Sequence, residues 1–200
     1  MNSFLKKLWH FIWEEDSIWS WIVNIILAFV LIKFILYPGL GALLGTPFPI
    51  VAVVSSSMEH SGSFEAWWSG EFDCRNGANI RQSEYYVRFG ITQDDFADYM
   101  FTNGFNKGDI MVLINPEPVE VGQVVVYTSS NNALRYPIIH RVVSIKDDSL
   151  ITKGDNNCKE DPIIQKKDLV GKAVLRIPLL GYVKIWFVQL LCLFQGSCAI

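Results

Sequence analysis

Pro137-Ile138-Ile139-His140-Arg141-Val142-Val143 is the stretch on which the fold turns. Its β-branched content marks a strand, read as Ile138 to Ile145, and period-two alternation sets Ile138, His140 and Val142 on one face. Comparable runs surround it: Ile50 to Val54, Ile110 to Ile114, Gln123 to Tyr127, Leu150 to Lys153 and Leu169 to Ile177. Gly, Pro, Asn and Asp punctuate them, as in Asn115-Pro116-Glu117-Pro118. Brief β-rich runs at short spacing predict a mainly β domain, an antiparallel sheet or barrel.

Residues 61 to 107 break that rhythm. They hold Trp67, Trp68, Tyr85, Tyr86 and the acidic Asp94-Asp95-Phe96-Ala97-Asp98-Tyr99. Thr92 followed by Asp94 and Asp95 predicts a capped helix start. The segment reads as an insertion of mixed structure whose aromatics form a satellite core.

Upstream, Ile18 to Leu36 is almost wholly apolar. At about 1.5 Å per residue it is long enough to cross a hydrocarbon core of about 30 Å. Trp19, Trp21 and Tyr37 suit the two interfaces, and Lys33 can snorkel outward. The run is too long for a removed signal peptide, and no small-residue cleavage site follows. Pro38-Gly39-Leu40-Gly41 is expected to end the helix. Lys6 and Lys7 precede it, and after it no Lys or Arg occurs before Arg75. The positive-inside rule then makes residues 1–17 a cytoplasmic segment, 18–36 a transmembrane helix and 37–176 an extracytoplasmic domain. Residues 177–200 form a hydrophobic C-terminal segment, in which Ile177 to Phe194 either spans the membrane or lies in its interface.

Composition agrees: 50% of residues are hydrophobic, 18% are charged, and mean hydropathy is +0.25. A net charge of −3 argues against nucleic acid as a partner. The four cysteines, Cys74, Cys158, Cys192 and Cys198, form no Cys-x-x-Cys pair, which opposes a structural zinc site. Cys74 and Cys158 can pair if their domain faces an oxidising space.

The chemistry-bearing residues are few. Of three histidines, His10 falls on the cytoplasmic side and His60 is close in sequence to Ser57. His140, a polar ring among apolar strand residues, needs a partner, and imidazole suits a general base near neutral pH. Ser57 ends the run Val53-Val54-Ser55-Ser56-Ser57-Met58, where its hydroxyl can face a cleft. Asp155 and Asp161 sit in the loop after Gly154 and can orient an imidazole. That loop lacks the ligands and glycine of an EF-hand, and neither a phosphate-binding loop nor a His-Glu-x-x-His site is present.

At these positions the chain resembles the type I signal peptidases, in the archaeal and endoplasmic-reticulum type that uses histidine rather than lysine. Ser55-Ser56-Ser57-Met58-Glu59 is similar to the family's serine box, Gly108-Asp109-Ile110-Met111-Val112 to its Gly-Asp box, Ile139-His140-Arg141-Val142-Val143 to the box of the base, and Ile151-Thr152-Lys153-Gly154-Asp155-Asn156-Asn157 with Asp161 to the acidic box. The resemblance implies a membrane-anchored β-rich catalytic domain with Ser57 as nucleophile, His140 as base and Asp161 as the acid, supported by Asp155. It assigns Ser55 and Met58 to oxyanion and substrate binding. It implies signal-peptide-bearing precursors as substrates, a lipid bilayer as surroundings, no cofactor, and room for accessory membrane subunits. Two departures stand out: His60 occupies the place of the family's proline, which is expected to loosen the nucleophile loop, and the insertion lengthens the chain before Gly108.

Two other readings compete. A self-cleaving serine protease of related fold is opposed by the membrane helix and the lack of a DNA-binding module. A non-catalytic subunit that binds signal segments is opposed by the intact Ser57, His140 and Asp161.

Overall fold

The computed structural model describes residues 3–74, 78–128, 137–183, 185, 186 and 189. The chain divides into two units, residues 1–43 and 44–200.

In the first unit, helix α1 (Ser3–Trp13) is followed by α2 (Ile18–Leu31), whose first turn is capped by the Ser17 hydroxyl accepting the Ser20 N–H at 3.2 Å. The polar side chains of this apolar helix have local partners. Ser20 Oγ donates to Phe11 O at 2.6 Å and Asn24 Nδ2 to Ile12 O at 2.9 Å, using carbonyls that end α1. Helix α2 does not stop at Pro38. It runs through a π-helical segment, Ile32–Leu36, into α3 (Tyr37–Leu44). This corrects the expected boundary, and the reason is local. A proline ring clashes with the carbonyl four residues back, and the wider i→i+5 turn before Pro38, with Tyr37 N–H donating to Ile32 O, makes room for it. The helix ends instead where Gly45 adopts φ +67°. Among the described residues, Ile18–Leu44 is the one helix long and apolar enough to cross a membrane, with mean hydropathy 2.2 in its most apolar window.

The second unit is built on a seven-stranded antiparallel sheet bent into a half-barrel. Its strands are β1 (Ile50–Ala52), β4 (Ile110–Ile114), β5 (Val124–Tyr127), β6 (Ile138–Lys146), β7 (Ser149–Lys153), β8 (Ile164–Gln165) and β9 (Leu169–Ile177), in the order β1-β4-β9-β5-β6-β7-β8. The insertion supplies a separate hairpin, β2 (Glu71–Cys74) with β3 (Ala78–Arg81), and three short helices, α4 (Phe64–Ser69), α5 (Gln82–Val87) and α6 (Gln93–Ala97). Thr92 caps α6 as expected, in a reciprocal box with Asp95. Three register shifts bend the sheet. One of them leaves Val143 of β6 unpaired between Val142↔Thr152 and Ser144↔Ile151.

Alternation along β6 decides what each face meets. Val142 packs with Val125, Tyr127, Leu150 and Ile164 on one side of the sheet. Ile139 and Val143 serve the other side, where Val53, Met58, Met111, Leu113 and Val126 form the main core and Phe64, Trp67, Trp68, Tyr86 and Phe96 the aromatic one. The aromatics of the insertion are therefore a satellite core.

A disulfide joins Cys74 at the end of β2 to Cys158 in the acidic loop, with Cα atoms 5.7 Å apart. Ile177 closes β9, paired with Ile110, where the strand read over Leu169 to Ile177 ends, and so belongs to the sheet rather than to the C-terminal segment. Residues 190–200 and part of 184–188 lie outside the described residues, and with them most of that expected segment.

Candidate active site

Three chain segments converge on one end of β6. The first is the turn after β1, where Ser57 is half-buried and Ser55 exposed. The second is β6 itself, which presents His140. The third is the loop from β7 to β8, which returns along the sheet so that Asp161 N–H donates to Thr152 O at 2.8 Å. Gly154 permits the close approach of the first and third: a Cβ there would lie 2.8 Å from Ser57 O and 2.6 Å from Asn157 Nδ2.

His140 Nε2 lies 2.9 Å from Ser57 Oγ, and its Nδ1 lies 2.6 Å from Asp161 Oδ2. A carboxylate oxygen only accepts, so Nδ1 carries the proton and Nε2 offers its lone pair to the Ser57 hydroxyl. Asp161 is fixed in turn by Thr152 Oγ1, which donates to the same Oδ2 at 2.8 Å. The side chains of His140 and Asp161 are 8% and 15% exposed, so the pair is shielded without being sealed. Ser55 Oγ lies 3.2 Å from Ser57 Oγ on the open side.

Two expected site residues are placed differently. Met58 turns inward: it is 1% exposed in the main core, and its Sδ accepts the Asp155 N–H at 3.4 Å. Its side chain packs in the core with Val53, Phe105 and Met111. Asp155 makes its hydrogen bonds on the other face of β6 and none to His140. Its Oδ1 accepts from Tyr86 OH at 2.7 Å and Arg141 Nε at 3.0 Å, and its Oδ2 from Arg141 Nη2 at 2.7 Å and His60 Nε2 at 2.9 Å. Burial alone would push the Asp155 carboxyl up, but the Arg141 guanidinium and the hydrogen bonds from His60 and Arg141 outweigh it and hold the group well below the usual carboxylate range. Arg141 completes its donors on Met100 O, Gly122 O and Phe101 O at 3.0, 2.9 and 3.0 Å, with Phe96 beneath it at 4.5 Å. This buried ion pair is thus fully hydrogen-bonded.

Beside it, Lys153 is wholly buried and donates to Gln82 Oε1, Gly154 O and Asp155 O at 2.7, 3.0 and 3.3 Å. Burial lowers its ammonium to about 7, against the opposing pull of Asp155.

Thr152, Arg141 and His60 had no role in the sequence reading. A charged residue inside an apolar strand is a signal that could have found Arg141, since a buried guanidinium requires a carboxylate. Nothing in the spacing points to Thr152 or His60.

A serine hydroxyl facing an imidazole that is backed by a carboxylate, on a β scaffold, defines a serine-peptidase site. No protein-family model matches the chain. It is similar to the signal peptidase complex catalytic subunit SEC11 of Fusarium vanettenii, with 28% identity over 167 residues covering 76% of this chain and 71% of the relative. The protein of the same name from Sclerotinia sclerotiorum is 28% identical over 178 residues, covering 80% and 77%. That of Lachancea thermotolerans is 41% identical over 98 residues, covering 41% and 57%. Over most of its length the chain is thus similar to catalytic subunits of the endoplasmic-reticulum type of signal peptidase I.

Proposed function

We propose that this chain is a membrane-anchored serine endopeptidase that removes signal peptides from translocated precursors, with Ser57 as nucleophile, His140 as general base and Asp161 as the orienting acid. The observation that carries this reading is the unbroken line from Ser57 Oγ through His140 to Asp161, with contacts of 2.9 and 2.6 Å.

The chemistry follows from that line. Ser57 Oγ attacks the scissile carbonyl as its proton passes to His140 Nε2, and Asp161 stabilises the imidazolium through Nδ1–H. The developing oxyanion is held by the Ser57 N–H and the Ser55 hydroxyl, each such donor contributing about 3 kcal/mol in other enzymes. His140 then returns the proton to the leaving amine, and water releases the acyl group. The substrate's extended segment adds beside β1, the strand at the sheet edge, where Ile50 and Val54 are exposed. The apolar side chains of that edge would accept the small side chains of an Ala-x-Ala site.

The anchor is the Ile18–Leu44 helix. Lys6 and Lys7 support a cytoplasmic N-terminus with the catalytic domain on the far side, in the cell membrane or, in a eukaryote, the endoplasmic reticulum. Sharing a bilayer with the precursor raises the effective concentration of the cleavage site. The relatives are named as subunits of a complex, so accessory membrane subunits are expected partners.

The test is cleavage of a signal-bearing precursor by the purified full-length protein in liposomes. The wild type cleaves after the small-residue site, and Ser57→Ala is inactive while remaining folded and membrane-bound. Retained cleavage by Ser57→Ala sinks the assignment.

A further inference from the structure

We infer that His60 is a positioning residue for the nucleophile, and that the aromatic insertion forms the seat that holds it. The inference rests on the reading of Ser57 as nucleophile.

His60 follows Ser57 by three residues, yet its side chain is 1% exposed and points away from the reacting hydroxyl. Its ring stacks on Trp67 of α4, with centroids 3.7 Å apart and planes 4° from parallel. On another side the backbone of Gly104 closes the seat. A Cβ at Gly104, which adopts φ +64°, would lie 2.6 Å from His60 Cδ2 and 2.3 Å from Met58 O. From this seat Nε2 donates to Asp155 Oδ2 at 2.9 Å. That carboxylate is already fixed by Arg141, the chain neighbour of His140. His60–Asp155–Arg141 therefore bridges the segment carrying the nucleophile to the strand carrying the base, beneath the Ser57–His140 contact.

Further ties run from the nucleophile turn to the same loop. Asn156 N–H donates to Ser57 O at 2.7 Å, Asn156 Nδ2 to Ser56 O at 2.9 Å, and Asp155 N–H to Met58 Sδ. Of these, the His60 tie alone uses a carboxylate, which makes it the strongest in kind. The insertion also grips that loop and the end of β7 before it, through Tyr86 on Asp155, Tyr85 on Glu160, the Cys74–Cys158 disulfide and Gln82 on Lys153. Where a proline would stiffen the turn through its own ring, this chain fixes it from outside, and the seat requires the insertion.

Three substitutions separate the parts. His60→Phe keeps the stack and removes the donor, His60→Gln keeps a donor at the reach of Nε2 and removes the stack, and His60→Ala removes both. The readouts are kcat and KM on a signal-bearing precursor, and the labelling rate of Ser57 by a small fluorophosphonate that needs no peptide subsites. Thermal unfolding in the same detergent identifies folded variants. His60→Phe is expected to lose roughly ten- to hundredfold in kcat and in labelling rate with KM within about twofold, since small misplacements of reacting groups carry penalties of that size. His60→Gln recovers most of it. If His60→Ala does not fold, the Phe and Gln variants decide alone. Wild-type kcat and labelling in folded His60→Phe, or a loss confined to KM, overturns the inference. If instead Ser57→Ala still cleaves, it is the reading of the site that has failed.

Discussion

The two faces of β6 carry two networks built from the same three segments. On one face Ser57, His140 and Asp161 are half-open to solvent. On the other His60, Arg141 and Asp155 are wholly enclosed. Each pairs a residue of the turn after β1 with one of β6 and one of the acidic loop. They differ in what is left unfinished. At its ion pair the enclosed network satisfies each carboxylate oxygen at least twice and each guanidinium donor once, and the open position it keeps is His60 Nδ1, buried without a partner. The open one leaves the Ser57 hydroxyl and its neighbour Ser55 facing solvent. Saturation suits a frame, and incompleteness suits a reacting group. One residue of register separates the two roles, because neighbours on a strand point to opposite faces.

The largest effect that could break this contrast is at the base. His140→Lys should reduce kcat/KM by roughly four orders of magnitude or more at neutral pH, as loss of the base does in other serine peptidases. The lysine would sit beside Asp161, which favours the ammonium form, and an ammonium accepts no proton. Near-wild-type cleavage by the variant would mean that Asp161 does not act on the base.

On the enclosed side, Cys74→Ser with Cys158→Ser opens the tie between insertion and acidic loop. It should lower unfolding stability by about 2–4 kcal/mol, measured by denaturant titration followed by tryptophan fluorescence. Cleavage by the remaining folded molecules should fall far less than in His140→Lys. Equal losses of activity would make the disulfide part of the chemistry.

The smallest effect concerns Lys153. Its folded pKa of about 7 lies below the unfolded value of about 10.4, so between these the unfolded chain binds more protons. Its contribution to stability therefore rises with pH across that window and is lost as pH falls through about 7. Unfolding temperature of the wild type, minus that of Lys153→Met, should climb from pH 7 to pH 9. Parallel curves would mean that the buried ammonium stays charged throughout.

Much of the open network was legible in the sequence. Strands such as Ile110–Ile114 announce themselves through β-branched runs bounded by turn residues, and a lone histidine in such a run demands a polar partner. The enclosed network was not legible, because its parts meet only through packing. His60 reads as a neighbour of Ser57 until Trp67, from the insertion, turns its ring inward. Asp155 and Asp161 share one loop, and nothing in their spacing tells which faces His140. The two-residue β8 is too short to carry a pattern. Pro38 is a reliable stop signal in general, and it failed here because a π-helical turn absorbed the ring. Cys74 and Cys158 are 84 residues apart, and only the folded insertion brings them together.

The most direct test sets the two aspartates against each other. Asp161→Asn and Asp155→Asn are each measured for kcat/KM on a signal-bearing precursor and for unfolding stability under the same conditions. The account predicts opposite signatures. Asp161→Asn loses about 10⁴ in kcat/KM, from a misoriented imidazole, with stability within about 1 kcal/mol of wild type. Asp155→Asn strands a buried guanidinium and loses roughly 3–5 kcal/mol of stability, while its folded molecules keep more activity than Asp161→Asn. A greater loss of activity per folded molecule at Asp155 than at Asp161 would contradict the assignment of chemistry to one face and framework to the other.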